Sequence, residues 1–222
     1  MLETIETTTG AKPAFSVIWL HGLGADGHDF APLVPELVRR EWPALRFVFP
    51  HAPVMPITIN NGAAMRAWYD IVGFDFSKVR EDSAGVRRAI AEVDVLIARE
   101  RDRGVPPGRV LLAGFSQGGA VALAAGLRRS QPLAGIVALS TYLTLAAETA
   151  AEATPQGLST PLFMAHGTQD PVVPLAAGQK AAELLKTLGM DAALRRYPMP
   201  HSVCAAEVSD LGDWMEARFA GG

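Results

Sequence analysis

The chain has 222 residues, 49% of them hydrophobic and 19% charged, which excludes a disordered protein and suits a single domain over residues 1–222. A net charge of −3 with scattered Lys and Arg excludes a nucleic-acid-binding surface, and a single cysteine, Cys204, excludes an intramolecular disulfide and a cysteine-rich metal site. The first residues do not resemble a signal peptide, and no window is apolar for long enough to cross a bilayer. We therefore expect a cytoplasmic protein with no metal, no cofactor and no integral membrane association.

Short apolar runs alternate with amphipathic segments along nearly the whole chain. The apolar runs predict buried strands over residues 14–20, 45–49, 110–113, 135–139, 162–166 and 192–197. The segments between them predict helices over residues 29–41, 82–103, 120–125, 175–188 and 203–219. This alternation is typical of an α/β domain with a mostly parallel central sheet and helices on both faces. The first nine residues predict an additional edge strand.

Two stretches lack a clear period. Residues 51–77 contain several prolines and glycines, so we predict a long loop, and loops of this length inside a domain are usually functional. Residues 141–160 predict a second loop-rich stretch with a short helix near residues 146–153. The first loop holds apolar residues that would permit a homodimer if they were exposed: Met55, Ile57 and Ile59.

The stretch Gly114-Phe115-Ser116-Gln117-Gly118 joins a predicted strand to a predicted helix. It fits the G-x-S-x-G nucleophile elbow, in which a serine occupies a sharp turn and its hydroxyl projects from the sheet edge. The flanking glycines are needed because side chains there would collide with the strand and the helix. Amide donors and the helix dipole at the start of a helix favour developing negative charge. Ser116 is therefore the candidate nucleophile.

The order of the chain selects the partners of Ser116. In the α/β-hydrolase arrangement the acid follows the serine and the histidine follows the acid, and reactive groups lie beyond the carboxyl ends of the strands. His201 follows the last predicted strand, whereas His166 precedes any suitable acid. Asp170 is the acid that follows a predicted strand on the same edge. We predict a triad of nucleophile Ser116, general base His201 and orienting acid Asp170.

An acyl-transfer reaction also needs two amide donors for the oxyanion. One comes from the residue after the nucleophile, which is Gln117, and the other from the loop after an early strand. The stretch His21-Gly22-Leu23-Gly24 resembles such a loop, and Leu23 is the predicted second donor. We interpret His21 as a residue that braces this loop.

Six motifs resemble those of one protein family, in the same order. They are HGLGADG at 21–27, FPHAP at 49–53, WYD at 68–70, GFSQGG at 114–119, HGTQDPVVP at 166–174 and HS at 201–202. They are similar to the small carboxylesterases related to acyl-protein thioesterases and lysophospholipases, and the resemblance spans roughly residues 14–218. It implies an α/β-hydrolase fold without a large lid domain and a small-molecule acyl ester or thioester substrate. It also matches the three triad residues and the two oxyanion amides named above.

Two positions depart from the family's usual pattern, since Pro200 and Thr141 both stand where glycine is common. We expect Pro200 to stiffen the His201 loop and Thr141 to narrow the substrate pocket.

The leading prediction is a serine carboxylesterase that acts on short- to medium-chain carboxylic esters through an acyl-enzyme. An acyl-protein or acyl-CoA thioesterase and a lysophospholipase are alternatives, and a non-catalytic binding protein with this fold is an alternative of another class. Apolar residues near the elbow are the predicted walls of the acyl pocket, with packing against the sheet as an open alternative: Met65, Trp68, Val172 and Val173.

Overall fold

The computed structural model describes residues 2–73 and 81–220. Its strands are β1 (Thr4–Thr8), β2 (Phe15–Leu20), β3 (Leu45–Pro50), β4 (Val54–Ile57), β5 (Ala63–Arg66), β6 (Val110–Phe115), β7 (Gly135–Leu139), β8 (Leu162–Gly167) and β9 (Leu194–Tyr197). Its α-helices are α1 (Val34–Leu37), α2 (Ser83–Asp102), α3 (Gln117–Leu127), α4 (Ala146–Glu152), α5 (Pro155–Leu158), α6 (Leu175–Thr187) and α7 (Ala205–Phe219). Short 3₁₀ turns cover Ala31–Leu33, Thr58–Asn60 and Pro107–Arg109.

Seven of the described strands form one sheet in the order β1-β3-β2-β6-β7-β8-β9. The edge strand β1 is antiparallel to β3, and the other neighbouring pairs are parallel. Leu20 of β2 pairs with Gly114 of β6, and Gly167 of β8 pairs with Tyr197 of β9. The residues that follow these parallel strands therefore emerge along one edge of the sheet.

Strand β2 explains why the predicted strands read as continuous apolar runs. Phe15, Val17 and Trp19 pack into the core shared with α1 and α7 on one face. Ile18 and Leu20 pack into the core shared with α2 and α3 on the other face. Because helices cover both faces, successive side chains along the strand are all buried, and no polar alternation remains.

Most of the predicted elements are confirmed. The predicted edge strand is β1, and the helices predicted over residues 82–103, 175–188 and 203–219 are α2, α6 and α7 with ends shifted by up to two residues. The short helix predicted near residues 146–153 is α4, and α5 follows it without having been predicted. Helix α2 begins where the side chain of Asp82 accepts a hydrogen bond from the amide of Gly85, at 2.8 Å.

The helix predicted over residues 29–41 is wrong in extent. Only a 3₁₀ turn and the four-residue helix α1 form there, and Val38 is already extended with ψ 132°. Pro32 and Pro35 lack amide hydrogens, so neither can donate to a preceding turn and a longer helix is not supported.

The loop predicted over residues 51–77 contains a hairpin. Strands β4 and β5 pair antiparallel around Asn61 and Gly62, which adopt positive φ values of 55° and 76°. Ile57 of β4 is fully buried, which removes it from the apolar surface invoked for a homodimer. Residues 74–77 of the predicted loop lie outside the described residues.

Candidate active site

The serine elbow lies between β6 and α3 at the centre of the sheet. Ser116 has φ 54° and ψ −121°, a strained conformation for a residue with a side chain. A Cβ atom on Gly114 would lie 2.3 Å from the carbonyl oxygen of Gly118, and one on Gly118 would lie 2.3 Å from that of Leu20. The two glycines of the motif are therefore required by backbone contact, and the turn holds the Ser116 side chain at the sheet edge.

Thr141 stabilises the backbone of the serine elbow. Its hydroxyl donates to the carbonyl oxygen of Ser116 at 2.6 Å, and Thr141 is buried. The amide of Ser116 donates to the carbonyl oxygen of Leu139 at 2.9 Å. Thr141 is not part of the described wall of this cavity, and its effect on the width of the pocket stays a prediction. The threonine satisfies a backbone acceptor at the strained residue.

Asp170 and His201 are in direct contact. His201 Nδ1 lies 2.7 Å from Oδ2 of Asp170. The other carboxylate oxygen accepts the amides of Val172 and Val173 at 2.8 and 2.9 Å, and the carboxylate is fully buried. Because a carboxylate only accepts, Nδ1 of His201 carries the hydrogen, and Nε2 of the neutral ring is left with a lone pair.

His166 braces the turn that holds the acid. Its Nε2 lies 2.8 Å from the carbonyl oxygen of Val173 and 3.6 Å from Oδ2 of Asp170. Burial lowers the pKa of His166, so the ring is neutral, and its contact with a carbonyl places the hydrogen on Nε2. A Cβ on Gly178 of α6 would lie 2.5 Å from Nδ1, so the ring is closely packed against that helix. This supporting role was not predicted from the sequence.

A tight turn after β9 carries His201. The amide of Ser202 donates to the carbonyl oxygen of Pro200 at 2.9 Å, and the His201 ring packs against Phe115 with 4.7 Å between ring centroids. A Cβ on Gly167 would lie 2.3 Å from the carbonyl oxygen of Met199, so the turn approaches the β8 backbone closely. The effect of Pro200 on the stiffness of this turn stays a prediction.

Ser116 and His201 both line a cavity of about 230 Å³ beyond the sheet edge. Among the described residues the two side chains make no hydrogen bond with each other, although the His201–Asp170 bond is formed. In structures without substrate the bond between nucleophile and base is often long and shortens when substrate binds. The arrangement therefore holds an oriented imidazole beside a serine hydroxyl.

The two predicted amide donors face the same cavity. Leu23 and Gln117 both line it, and neither amide donates a hydrogen bond within the described part of the chain. Gln117 is the first residue of α3, whose leading amides have no partner inside the helix. The loop that carries Leu23 is tied to β5 by the amide of Gly24, which donates to the carbonyl oxygen of Arg66 at 2.9 Å.

His21 braces this loop, as interpreted from the sequence. Its Nε2 accepts the amide of Ala52 at 3.1 Å, and its Nδ1 lies 2.7 Å from the carbonyl oxygen of Gly22. Burial lowers the pKa of His21, so the neutral ring with hydrogen on Nδ1 satisfies both contacts. The ring connects the loop after β2 with the segment after β3.

The predicted cavity walls divide into two groups. Val172 and Val173 line the cavity and Met65 and Trp68 are not part of its described wall, and a substrate-binding role for these four residues stays a prediction. Trp68 is buried behind the site, where its indole donates to the carbonyl oxygen of His21 at 2.8 Å. Met65 lies against the side chain of Asn60, with the amide nitrogen 3.3 Å from the sulfur.

Gln117 has a second role that its place in the elbow did not predict. Its side-chain oxygen accepts the amide of Trp68 at 2.9 Å, and its side-chain nitrogen donates to the carbonyl oxygen of Tyr69 at 2.7 Å. These two bonds fix the segment that carries Tyr69, which lines the cavity together with Ile71. A buried glutamine side chain with two backbone partners holds the cavity wall to the elbow.

The described residues contain no group of three or more His, Cys, Asp or Glu side chains placed to hold a metal ion. None of the helices within 2–73 and 81–220 is long and apolar enough to span a bilayer. Cys204 is the residue immediately before α7, and it is half-buried. A cytoplasmic location stays a prediction.

Comparisons with known proteins agree with this architecture. A sequence profile described as Phospholipase/Carboxylesterase matches residues 3–218. Acyl-protein thioesterase 1 of Neurospora crassa is 42% identical over 218 residues, covering 94% of this chain and 89% of that protein. The protein of the same name from Mycosarcoma maydis is 38% identical, covering 96% of this chain and 94% of that protein. The crystal structure of Arabidopsis thaliana SOBER1 matches with a TM-score of 0.86 and 32% identity, covering 92% and 98% of the two chains.

The predicted α/β-hydrolase fold, with a mostly parallel central sheet and no large lid domain among the described residues, is thereby confirmed.

Proposed function

The chain belongs to the phospholipase/carboxylesterase family of α/β-hydrolases, and we propose that it is a serine carboxylesterase for short- to medium-chain esters. Ser116 is the nucleophile, His201 the general base and Asp170 the acid that orients it. The observation that carries this assignment is the 2.7 Å contact of His201 Nδ1 with Asp170, beside a cavity that the elbow serine also lines. A binding protein without catalysis would not need an imidazole held in one tautomer beside a strained serine.

Acylation begins when His201 Nε2 takes the proton of the Ser116 hydroxyl as its oxygen attacks the ester carbonyl carbon. The buried carboxylate of Asp170 stabilises the imidazolium that forms and keeps Nδ1 protonated. Two neutral backbone amides hold that carboxylate, so its charge is not already neutralised by a cation in the described residues. The charge is therefore available when the imidazolium appears.

The negative charge that moves onto the carbonyl oxygen needs donors that are already in place. The amides of Gln117 and Leu23 provide them, because both border the cavity and neither is used within the described residues. Gln117 also begins α3, whose dipole favours an anion at that point. A loss of one such donor typically costs about 10²–10³ in kcat.

The acyl group and the leaving group occupy different sides of His201. The cavity of about 230 Å³ has a mostly apolar wall that includes Ile71, Val172 and Val173, which suits an acyl chain. A second cavity, of about 400 Å³, shares Phe115 and His201 with the first and continues toward α1. We assign the leaving group to this second side, because His201 also borders this cavity and its Nε2 must protonate the leaving group. Water then enters by the same side and hydrolyses the acyl-enzyme with His201 as base.

Thioester hydrolysis is the second candidate, and the names of the relatives support it. Both relatives described above are called acyl-protein thioesterase 1, and the chain covers about nine-tenths of each. The proposed acyl-enzyme route is the same for an oxygen or a sulfur leaving group. O-ethyl and S-ethyl octanoate separate the two candidates, because they share the acyl chain and differ only in the leaving atom. The ratio of their kcat/KM values therefore measures the preference for an oxygen or a sulfur leaving group.

Replacement of the nucleophile is the direct test. Ser116→Ala is expected to lower kcat for p-nitrophenyl butyrate by about 10⁴-fold or more and to abolish labelling by a fluorophosphonate, because the attacking oxygen is removed. Ser159→Ala, at an exposed serine after α5, is the matched control and should keep both activities. Full activity in a folded Ser116→Ala protein would overturn the assignment.

A further inference from the structure

The acyl cavity adjoins another cavity of about 510 Å³ between α4 and α6. Glu81 and Tyr142 line both cavities, so the two side chains form a shared wall. The wall of the outer cavity is largely small and apolar in the described residues: Leu143, Ala146, Ala147, Ala177, Ala181 and Leu184. Polar residues of the same wall, such as Glu148 and Lys180, belong to the surfaces of α4 and α6.

Tyr142 is held in the shared wall by a second tyrosine. Its hydroxyl lies 2.5 Å from the hydroxyl of Tyr69, which is buried in the core and also lines the acyl cavity. Burial raises the pKa of both hydroxyls, that of Tyr142 to about 12, so the pair stays neutral at physiological pH. The hydrogen bond between the buried Tyr69 ring and the half-buried Tyr142 ring therefore forms a barrier without charge in the shared wall.

Glu81 completes the wall and is fixed independently. Both of its carboxylate oxygens accept the amide of Leu145, at 2.9 and 3.1 Å. Leu145 precedes α4, so this contact ties the start of that helix to the wall. The backbone of Tyr69 is tied to the elbow by the Gln117 side chain described above, so the barrier is anchored to two elements of the site.

We propose that the Tyr69–Tyr142 pair, completed by Glu81, ends the acyl cavity and sets the upper limit of acyl chain length, with the cavity between α4 and α6 as a hydrocarbon site closed off behind it. This inference rests on the proposed esterase function. A chain that fits in front of the pair is accepted, and a longer chain has to remain partly in water. Removal of the Tyr142 ring joins the two cavities and lets additional methylenes be buried among the alanines of α4 and α6.

The test is the profile of kcat/KM for p-nitrophenyl esters from butyrate to laurate. In Tyr142→Ala the ratio of laurate to butyrate is expected to rise at least tenfold over wild type, since each further buried methylene is worth about fourfold. Tyr142→Phe removes only the hydroxyl and keeps the ring in the wall, so the rise in this ratio should be much smaller than in Tyr142→Ala. An unchanged profile in folded Tyr142→Ala that still hydrolyses butyrate would overturn the proposal.

A double variant tests whether the additional methylenes of a long acyl group lie in the cavity between α4 and α6. Ala177→Phe, on a half-buried position of α6, refills the cavity between α4 and α6 and should leave the wild-type profile unaltered. In Tyr142→Ala/Ala177→Phe the gain for laurate should be lost. If the gain persists, the longer chain lies elsewhere, and the assignment of that cavity is wrong.

A measurement on the unmodified protein covers the case in which Tyr142→Ala fails to fold. Alkyl fluorophosphonates of increasing chain length should inactivate wild type faster up to a limit and more slowly beyond it. Rates that rise steadily up to a dodecyl reagent, whose chain has as many carbon atoms as laurate, would overturn the proposed barrier. If no reagent labels Ser116 and no ester is hydrolysed, the esterase proposal fails, which is a separate outcome.

Discussion

Asp170 and Glu100 are buried carboxylates near opposite ends of the parallel strands, and their surroundings differ. Asp170 follows the carboxyl end of β8, whereas Glu100 lies near the amino ends of β2 and β3. Glu100 of α2 accepts the Ser16 hydroxyl at 2.6 Å and contacts Arg46 and Arg103 at 2.7 and 3.0 Å. Asp170 instead has two backbone amides and the His201 ring. Both side chains are fully buried, so burial alone does not distinguish them.

The two carboxylates differ in whether a cationic side chain lies beside them in the resting protein. Arg46 and Arg103, together with Arg99 at 3.6 Å, compensate the charge of Glu100 permanently, which makes it part of the folded framework. Asp170 contacts the imidazole of His201 and no guanidinium among the described residues, and in the proposed mechanism a cation appears beside it only when that ring accepts the proton of Ser116. The surroundings of the two carboxylates therefore fit a structural role for Glu100 and the proposed catalytic role for Asp170.

Replacement of Asp170 is expected to have the largest effect, and that effect is on catalysis rather than on stability. Asp170→Asn should lower kcat for p-nitrophenyl butyrate by about 10⁴-fold, because an amide at this position favours the wrong His201 tautomer. Steady-state kinetics measure this loss, and urea unfolding should show a much smaller change in stability. Asp191→Asn, at an exposed acid before β9, is the control and should behave as wild type. Near-normal activity of Asp170→Asn would contradict its proposed role.

Replacement of Glu100 should instead lower the stability of the folded protein. Glu100→Gln leaves Arg46 without a carboxylate partner among the described residues, whereas Arg103 keeps Glu6, and we expect a loss of about 3 kcal/mol in the free energy of unfolding. Urea denaturation followed by fluorescence measures this loss. The specific activity per folded molecule should stay at the wild-type level, because Glu100 is remote from the carboxyl edge of the sheet. A selective drop in kcat without a loss of stability would break the comparison.

Glu207 in the first turn of α7 is a third buried carboxyl group, and it forms no ion pair within the described part of the chain. Neither oxygen meets hydrogen-bond geometry with a group in residues 2–73 or 81–220, although the nearby amide of Cys204 offsets part of the effect of burial. Burial raises the pKa of Glu207 from 4.5 to about 8. The folded protein therefore holds this proton more tightly than the unfolded chain does.

The sign of the pH effect follows from that difference in proton affinity. The contribution of Glu207 is fully present below pH 4.5 and is lost as the pH rises toward about 8. Glu207→Gln removes the titration, so its free energy of unfolding should fall less between pH 5 and 8 and exceed that of wild type by about 1–2 kcal/mol at pH 8. Urea unfolding at several pH values measures this, and parallel curves for the two proteins would contradict the assignment.

Much of the site could be predicted because its constraints are local or follow from chain order. The elbow needs glycines at fixed positions around Ser116, and those positions can be read directly. Asp170 and His201 follow adjacent parallel strands, so their contact follows from the sheet edge on which parallel strands end. The two errors of element assignment also had local signals that were overlooked. Asn61-Gly62 marks a hairpin turn, and Pro32 and Pro35 interrupt the predicted helix.

The sequence by itself determined the fold class, the candidate nucleophile and the order of its partners, because those depend on backbone geometry and on spacing along the chain. Only the tertiary structure decided the walls of the acyl cavity. Tyr69 and Tyr142 are 73 residues apart and meet through a hydrogen bond between side chains, whereas Trp68, adjacent to Tyr69, turns into the core. Side-chain contacts at such separations depend on how β5, α2 and the loop after β7 pack together, and no local pattern encodes that packing.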